Sequence, residues 1–310
     1  VRGRARHPVS ARPVLLALLA AGLAAGYAVA ATLASGEAGG GPEGARAEMV
    51  GVFAWREDWE GFGGFSGLAL SPDGLSFTAL SDRALLVTGR LGRDAAGAVT
   101  AVEVEGRARL LDTEGGPLRG LRADSEDVAV APDGTVFISF EGSARVRAQG
   151  PDGANPHLLP LEPAWEGWPL NASLEALALL PDDAPLVIPE VAEGGAFPVW
   201  RLRGEAWEVA FRLSRRGSFD VTGASVGPDG LLYVLERAVG LGFASRVRRV
   251  GLDGTGEETI WESRMGQRDN LEGIAAWGTA SDVRLSLISD DNFRFFQSTE
   301  IVDLRVPPAP

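Results

Sequence analysis

Five segments of the chain repeat one order of apolar and polar positions. Each opens on a small polar or acidic residue, continues through an apolar run of strand length, turns, and closes a second apolar run on an acid. Four of the five turns contain Pro-Asp followed by Gly or Asp. The segments are residues 66–82, 126–141, 175–190, 222–236 and 272–290. Two apolar runs joined by such a turn predict a β-hairpin of two antiparallel strands.

The spacing of the repeats predicts a β-propeller. Their first residues lie 60, 49, 47 and 50 positions apart, which fits one four-stranded blade per repeat. Further apolar runs complete the first four units: 84–91 with 99–111, 144–148 with 157–161, 198–203 with 207–213, and 246–252 with 257–261. We therefore predict an all-β propeller of four-stranded antiparallel blades. Five blades are preferred, and six are the alternative if the long first interval contains a degenerate blade.

The two ends of the domain are predicted to close the ring. The last repeat is followed by a single apolar run, 299–306, while the run 50–56 at the start of the domain has no partner. We expect this N-terminal strand to become the outer strand of the last blade. Such an arrangement covers a strand edge that would otherwise be exposed.

The turns and the strand ends are expected on opposite faces. Proline and glycine preset the turn dihedrals, so Asp73, Asp133, Asp182 and Asp229 are predicted to shape turns only. The residues that open the first strand and close the second must then lie together at the other face, because the two strands are antiparallel. The acids at these positions are Glu126 with its neighbours Asp124 and Asp127, Glu175, Glu272, Asp82, Glu141, Glu190, Glu236, Asp290 and Asp291.

This pattern predicts a ring of carboxylates around the propeller axis. Crowded like charges destabilise a fold unless a cation or a guanidinium group neutralises them. Calcium takes six to eight oxygen ligands from carboxylates, carbonyls and water, and it fits such a rim. The alternative is that the acids face solvent or pair with arginines, for which the candidates are Arg83, Arg122, Arg237, Arg268 and Arg294.

The N-terminal residues predict export. Four arginines precede an uncharged apolar run at 14–34, and Ala28-Val29-Ala30 matches a cleavage site. Residues 1–30 are therefore interpreted as a signal peptide, although the run could also remain as an uncleaved membrane anchor to about residue 34. Residues 31–48 are predicted to be a flexible linker and 49–308 the propeller domain. The expected location is periplasmic or secreted, with membrane contact only through the uncleaved segment.

Composition excludes several classes of function. The formal net charge is −13, which disfavours binding to nucleic acids or anionic membranes. The chain has no cysteine, and all 29 basic residues are arginine, so thiolate and lysine-nucleophile chemistry are absent. Beyond residue 30 the only histidine is His157, and the Gly-x-Ser-x-Gly match at 223–227 lies inside a predicted strand, which argues against a Ser-His-Asp hydrolase. We expect a monomer.

Two tryptophan pairs allow two interpretations. Trp55 with Trp59 and Trp165 with Trp168 could stack on a carbohydrate ligand, but packing within and between blades accounts for most tryptophans in propellers. Packing is the preferred interpretation.

Several motifs resemble the bacterial phytase-like propellers, often described by the esterase-like activity of phytase. The motifs are FSGLA at 65–69 with SDR at 81–83, DSEDVA at 124–129, LYVLER at 232–237, NLEGIA at 270–275 and SDDNF at 289–293. The resemblance extends from about residue 51 to 306. It implies similarity to calcium-dependent β-propeller phytases, whose acidic central channel holds metal ions.

The resemblance implies a divalent-metal-dependent hydrolase of phosphoric esters, with calcium as the expected cofactor and a small phosphorylated or ester substrate. Together with the repeat pattern it gives a ligand set of Asp82, Glu126, Asp127, Glu141, Glu175, Glu190, Glu272, Asp290 and Asp291. The catalytic candidates are Glu126 and Glu272, acting through metal-bound water, and the candidate phosphate contacts are Arg83, Arg237 and Arg294. The alternative is a non-catalytic propeller that binds a ligand or protein and holds a structural calcium.

Overall fold

Five four-stranded antiparallel sheets form a five-bladed β-propeller in the computed structural model, which describes residues 47–169 and 173–308. Blade 1 contains β2 (Phe65–Leu70), β3 (Ser76–Ser81), β4 (Leu85–Arg93) and β5 (Val99–Arg109). Blade 2 contains β6 (Ser125–Val130), β7 (Val136–Phe140), β8 (Arg145–Gln149) and β9 (His157–Leu158). Blade 3 contains β10 (Leu174–Leu179), β11 (Pro185–Pro189), β12 (Ala196–Arg203) and β13 (Ala206–Ser214).

Blade 4 contains β14 (Asp220–Val226), β15 (Leu231–Val239), β16 (Phe243–Gly251) and β17 (Glu258–Glu262). Blade 5 contains β18 (Asn270–Thr279), β19 (Asp282–Asp290), β20 (Glu300–Val306) and the N-terminal strand β1 (Glu48–Ala54). Five blades are thus confirmed, and so is the predicted closure, because β1 pairs with β20 as the outer strand of blade 5. The long first interval is occupied by the extended β4–β5 pair and a loop rather than by a sixth blade.

The hydrophobic core consists of five clusters, one at each junction between neighbouring blades. The junction of blades 4 and 5, for example, packs Tyr233 and Leu235 of β15 against Leu285 of β19. The junction of blades 2 and 3 contains Trp165, Trp200 and Trp207. Each blade therefore buries both of its faces against its neighbours, and this burial is the main term that stabilises the ring.

The predicted turn aspartates shape turns, as expected. Asp73 Oδ1 accepts a hydrogen bond from the amide of Leu75 at 3.0 Å, and Asp133 Oδ1 accepts one from the amide of Thr135 at 2.8 Å. Asp182 and Asp229 accept equivalent bonds in their own turns. These four hairpins lie at one face of the propeller, and the strand ends that carry the carboxylates lie at the other. We call this other face the acid face.

The ring is closed at blades 5 and 1 by a buried polar network. Asp303 on β20 accepts hydrogen bonds from Arg93 Nη1 at 2.8 Å and from the backbone amide of Val99 at 2.8 Å, and both donors belong to blade 1. Ser286 Oγ donates to the same carboxylate at 2.6 Å. The Arg93 and Asp303 side chains are 5% and 2% exposed, so this pair is shielded from solvent.

The predicted signal peptide and all but the last two residues of the predicted linker lie outside the described residues. Within the described part of the chain, no helix has the length and apolarity needed to cross a membrane.

Candidate functional site

A β-bulge recurs at the same place in all five blades. Where the innermost strand begins at the acid face, the pairing of the two inner strands shifts register by at least one residue. The residues left outside the regular pairing are Ser66, Glu126 with Asp127, Glu175, Thr222 and Glu272. A bulge re-aims the side chain of the extra residue, and such bulges are common beside active sites. The opening residues of the repeats thereby reach the mouth of the central channel.

Blades without an acid at the bulge use a hydroxyl group there. Ser66 Oγ donates a hydrogen bond to the carbonyl oxygen of Ser125 in the next blade at 2.9 Å. Thr222 Oγ1 lies 3.4 Å from the carbonyl oxygen of Leu271, also in the next blade. These two positions join neighbouring blades, so the carboxylates gather mainly on blades 2, 3 and 5.

Two triads of carboxylates share Glu141. One oxygen from each of Asp124, Glu126 and Glu141 lies within 4.8 Å of the other two, and the same holds for Glu141, Glu175 and Glu190. We call these groups the first and second triad. Each could hold one metal ion, and Glu141 could bridge the two. Asp124 is missing from the predicted ligand set; its position immediately before the second repeat was the available signal.

The acids of the triads are strongly perturbed. Burial, reinforced by the charges of Glu141 and Glu272, raises the pKa of Glu126 well above its ordinary value. Burial and the charge of Glu126 do the same to the pKa of Glu175. Burial and the charge of Asp124 raise the pKa of Glu141 to about 7. Within the described residues, no arginine forms an ion pair with any of these three carboxylates.

Asp82 and Asp290, two further acids of the ring, also have raised pKa values. Burial raises the pKa of Asp82 to about 6 despite the nearby charge of Arg83. Burial and the charge of Glu272 raise the pKa of Asp290 to about 8. Because the charges of Glu272 and Asp82 both act on Asp290 and on Glu126, the carboxylates of blades 1, 2 and 5 occupy one electrostatic site.

The guanidinium group of Arg237 bonds to carboxylates of the ring. Its Nη1 donates to Asn270 Oδ1 at 2.8 Å and to Glu272 Oε1, and its Nη2 donates to Glu190 Oε1 at 3.4 Å. Asn270 Nδ2 donates to the same Glu272 oxygen at 2.7 Å. These bonds neutralise part of the ring, which agrees with the alternative in which the acids pair with arginines. A phosphate contact by Arg237 stays a prediction.

The other two predicted phosphate contacts have different surroundings. Arg83 is exposed beside Asp82, and its guanidinium carbon lies 3.4 Å from the centre of the Phe293 ring. Arg294 instead lines a separate cavity of about 550 Å³ together with Arg268 and Phe296. Of the three arginines, only Arg83 is both beside a ring carboxylate and accessible to a ligand.

Asp127 does not join the carboxylates of the two triads. The bulge of blade 2 places Glu126 and Asp127 opposite Ser139 alone, so Glu126 takes the position of Glu175 and Glu272. Asp127 is the next residue on the strand, and its side chain points to other partners. Its Oδ2 accepts hydrogen bonds from the amides of Leu177 at 2.9 Å and Ala224 at 3.4 Å. Burial raises the pKa of Asp127 well above its ordinary value, although these amides act in the opposite direction.

Two further acids have local partners. Asp291 accepts hydrogen bonds from the amides of Gly64 at 3.0 Å and Phe293 at 2.9 Å, so it anchors the loop after β19 against blade 1. The expectation that Glu236 joins the ring is wrong: it is fully buried inside blade 4 and paired there with Arg246 and Arg248 of the adjacent strand.

The donor set of the ring fits a hard divalent cation. It consists of carboxylate oxygens that lie within 4.8 Å of one another in each triad. Burial and the neighbouring acids raise the pKa values of Glu126 and Glu175, and a bound cation would relieve this cost. Oxygen-only donors favour calcium or magnesium over zinc or copper. The first and second triads, with Glu141 between them, are the residues that would hold such ions.

A family profile described as "Phytase-like: Esterase-like activity of phytase" matches residues 60–293. Among solved structures, the PQQ-bound aldose sugar dehydrogenase of Streptomyces coelicolor is similar at 13% identity and a TM-score of 0.45, over 86% of this chain and 99% of that chain. Virginiamycin B lyase of Staphylococcus aureus is similar at 9% identity and a TM-score of 0.41, over 84% and 100%. These likenesses are too low to bear on activity, and no curated protein matches the chain significantly.

Proposed function

The chain belongs to the phytase-like family described by the esterase-like activity of phytase, and from this membership we propose that it is a divalent-cation-dependent hydrolase of phosphoric esters acting at the carboxylate ring. Calcium is the proposed cofactor. The observation that carries the proposal is the pair of carboxylate triads that share Glu141 at the mouth of the channel. A buried cluster of this charge is unfavourable for stability alone, which supports selection for binding a cation.

Each group of residues has a distinct part in this proposal. Asp124, Glu126, Glu141, Glu175 and Glu190 would hold the ions. Bound there, a divalent cation would polarise a phosphoryl oxygen and supply an activated water. Arg237 fixes Glu272 and Glu190 by its hydrogen bonds, so these carboxylates keep their orientation when a substrate enters.

Arg83 is the proposed contact for the substrate phosphate. Its guanidinium group is exposed at the ring edge, beside Asp82 and against the face of Phe293. Stacking on an aromatic ring restricts the arginine without using its N–H donors, which remain available for phosphate oxygens.

The test is hydrolysis of para-nitrophenyl phosphate, bis(para-nitrophenyl) phosphate and para-nitrophenyl acetate, each with added calcium and with chelator. We expect calcium-dependent release from a phosphoester, and a loss of at least about 100-fold in kcat for Glu126→Gln if this ligand positions the ion. The matched control is Asp133→Asn, which removes an acid from the opposite face and should keep full activity. Calcium-independent turnover, or no turnover of any ester, would overturn the proposal.

The same experiment addresses the alternative of a non-catalytic propeller. In that case calcium would raise the melting temperature, Glu126→Gln would abolish this rise, and no ester would be hydrolysed.

We also propose that the protein is exported, as the N-terminal sequence predicts. Cell fractionation of the full-length chain tests this.

A further inference from the structure

A second cavity lies on the acid face at the junction of blades 2 and 3. Its volume is about 550 Å³, and its described wall is formed by residues 141–144 after β7 and by residues 161–169 and 173 between β9 and β10. Glu141, the carboxylate shared by the two triads, is one of its lining residues. The cavity therefore adjoins the proposed metal centre directly.

Two tryptophans form the aromatic wall of the cavity. Trp165 and Trp168 have ring centres 6.0 Å apart, with 33° between their planes. Trp165 is only 4% exposed and is held from behind by Trp200 and Trp207, at 6.1 and 5.0 Å between ring centres. Trp168 is half-buried, so it presents an indole surface to the cavity on a rigid support.

The described lining carries negative charge only. It includes Glu141, Glu162 and Glu166 but no arginine or histidine. Arg145 directly follows the lining residue Ala144, but its guanidinium group has other partners. It donates to the carbonyl oxygens of Ser143 and Arg122 and stacks over Phe140. Glu162 Oε1 accepts a hydrogen bond from the amide of Ala164 at 3.0 Å. An anionic group would be repelled by this lining, and an apolar group would not neutralise its negative charge.

We propose that this cavity binds an organic ammonium group, held against the indole of Trp168 and within the field of the three glutamates. A ring quadrupole and nearby carboxylates both attract a cation of low charge density, and the attraction is largest where water is partly excluded. The cavity has the size of a small-molecule site.

Glu141 belongs both to the carboxylate triads and to the wall of the tryptophan cavity, and this suggests a substrate class. This step rests on the proposed function. A molecule whose ester group lies over the triads would place its other end in the tryptophan cavity. The substrate class is then a phosphoric ester of an amino alcohol, which carries an anionic and a cationic end. The cationic end would be recognised by Trp168, and the phosphate by the cation site and Arg83.

The binding test needs no turnover. Tetramethylammonium chloride and choline chloride are titrated into the full domain by ligand-observed NMR, with sodium chloride and glucose as comparison solutes. We expect saturable binding of both ammonium ions that weakens about 5- to 30-fold in Trp168→Ala, since a partly desolvated cation–π contact is worth roughly 1–2 kcal/mol. Trp59→Ala, another half-buried tryptophan on blade 1, is the matched control and should bind normally.

Three results would overturn the inference: no saturable binding, equal binding by the Trp168→Ala variant in its folded state, or stronger binding of glucose than of choline. Trp168→Phe keeps an aromatic face and should recover part of the affinity, which guards against misfolding of the alanine variant. For the substrate class, phosphocholine should be hydrolysed with a higher kcat/KM than glycerol phosphate, and Trp168→Ala should remove this preference. Ammonium binding without hydrolysis would reject the proposed function and support the ammonium site. Hydrolysis without ammonium binding would support the proposed function and reject the ammonium site.

Discussion

The Oδ2 atom of Asp127 accepts a hydrogen bond from the backbone amide of Leu177 at 2.9 Å, so a carboxylate of blade 2 is bonded to the innermost strand of blade 3. The same oxygen accepts from Ala224 of blade 4 at 3.4 Å. One acid thus joins three blades across the channel. Its neighbour Glu126, one residue earlier, belongs to the first carboxylate triad.

Replacing Asp127 should destabilise the ring. In Asp127→Ala the amides of Leu177 and Ala224 lose their side-chain acceptor, and each unsatisfied buried amide costs about 1–3 kcal/mol. We expect the free energy of unfolding in urea to fall accordingly. Asp133→Ala, at an exposed turn, should leave the urea midpoint nearly unchanged; an equal loss in both variants would contradict a bridging role.

Asp303 should be essential for ring closure. Asp303→Ala leaves Arg93 buried without its counter-ion, and breaking a buried pair in this way costs about 3–5 kcal/mol. Chemical denaturation measures the loss. The comparison is Glu193→Ala, which removes an exposed pair with Arg212 that is worth at most about 1 kcal/mol. A loss below 1 kcal/mol for Asp303→Ala would show that the network contributes little.

The metal-free domain should become less stable as the pH rises. Burial raises the pKa of Asp82 to about 6, of Glu141 to about 7 and of Asp290 to about 8. These groups bind protons more tightly in the folded state, so the stability they contribute is complete below about pH 4 and is lost as the pH passes through 6 to 8. Melting temperatures with chelator should therefore fall between pH 5 and pH 8. Calcium at pH 8 should recover the loss; a curve that rises over this window would contradict the charge arrangement.

Removing one carboxylate should have opposite effects with and without calcium. Glu175→Gln relieves repulsion in the metal-free domain at pH 7.5, so its melting temperature with chelator should rise. With calcium the variant should gain less than the wild type, by about 1.4 kcal/mol for each tenfold loss of affinity. Glu208→Gln on the outer strand of blade 3 serves as the control. A decrease of stability with chelator would mean that Glu175 is stabilising by itself.

Arg237 should act as a built-in counter-ion. Arg237→Gln leaves Glu272 and Glu190 without their guanidinium partner, and we expect a loss of roughly 3 kcal/mol at pH 7.5 without metal. The loss should shrink at pH 5, because Glu141 and Asp290, whose pKa values burial raises to about 7 and about 8, then take up protons and lower the negative charge of the ring. Comparing melts of this variant and of Arg212→Gln, a surface control, at the two pH values tests the assignment. A loss that does not depend on pH would indicate a packing role instead.

Most of the fold was predictable because each blade repeats a local pattern. The hairpins, the face on which the turn aspartates lie and the pairing of the first strand with the last all follow from periodicity and turn chemistry. The gathering of acids at one face follows from antiparallel pairing. Which acids meet was less predictable: Asp124 was missing from the ligand set, and Glu236 pairs with arginines inside its own blade.

Local sequence patterns were enough to predict the five-bladed ring and the concentration of carboxylates at one of its faces, because strand alternation and tight turns are short-range properties. Which carboxylates come within 4.8 Å of one another depends on the folded ring, because a β-bulge changes the direction of a side chain and leaves no mark in the apolar pattern. In blade 2, Glu126 belongs to the first triad, whereas the next residue, Asp127, accepts hydrogen bonds from blades 3 and 4. Closure of the ring likewise makes Glu141 a member of both triads and a lining residue of the tryptophan cavity. These contacts depend on packing between blades rather than within a blade.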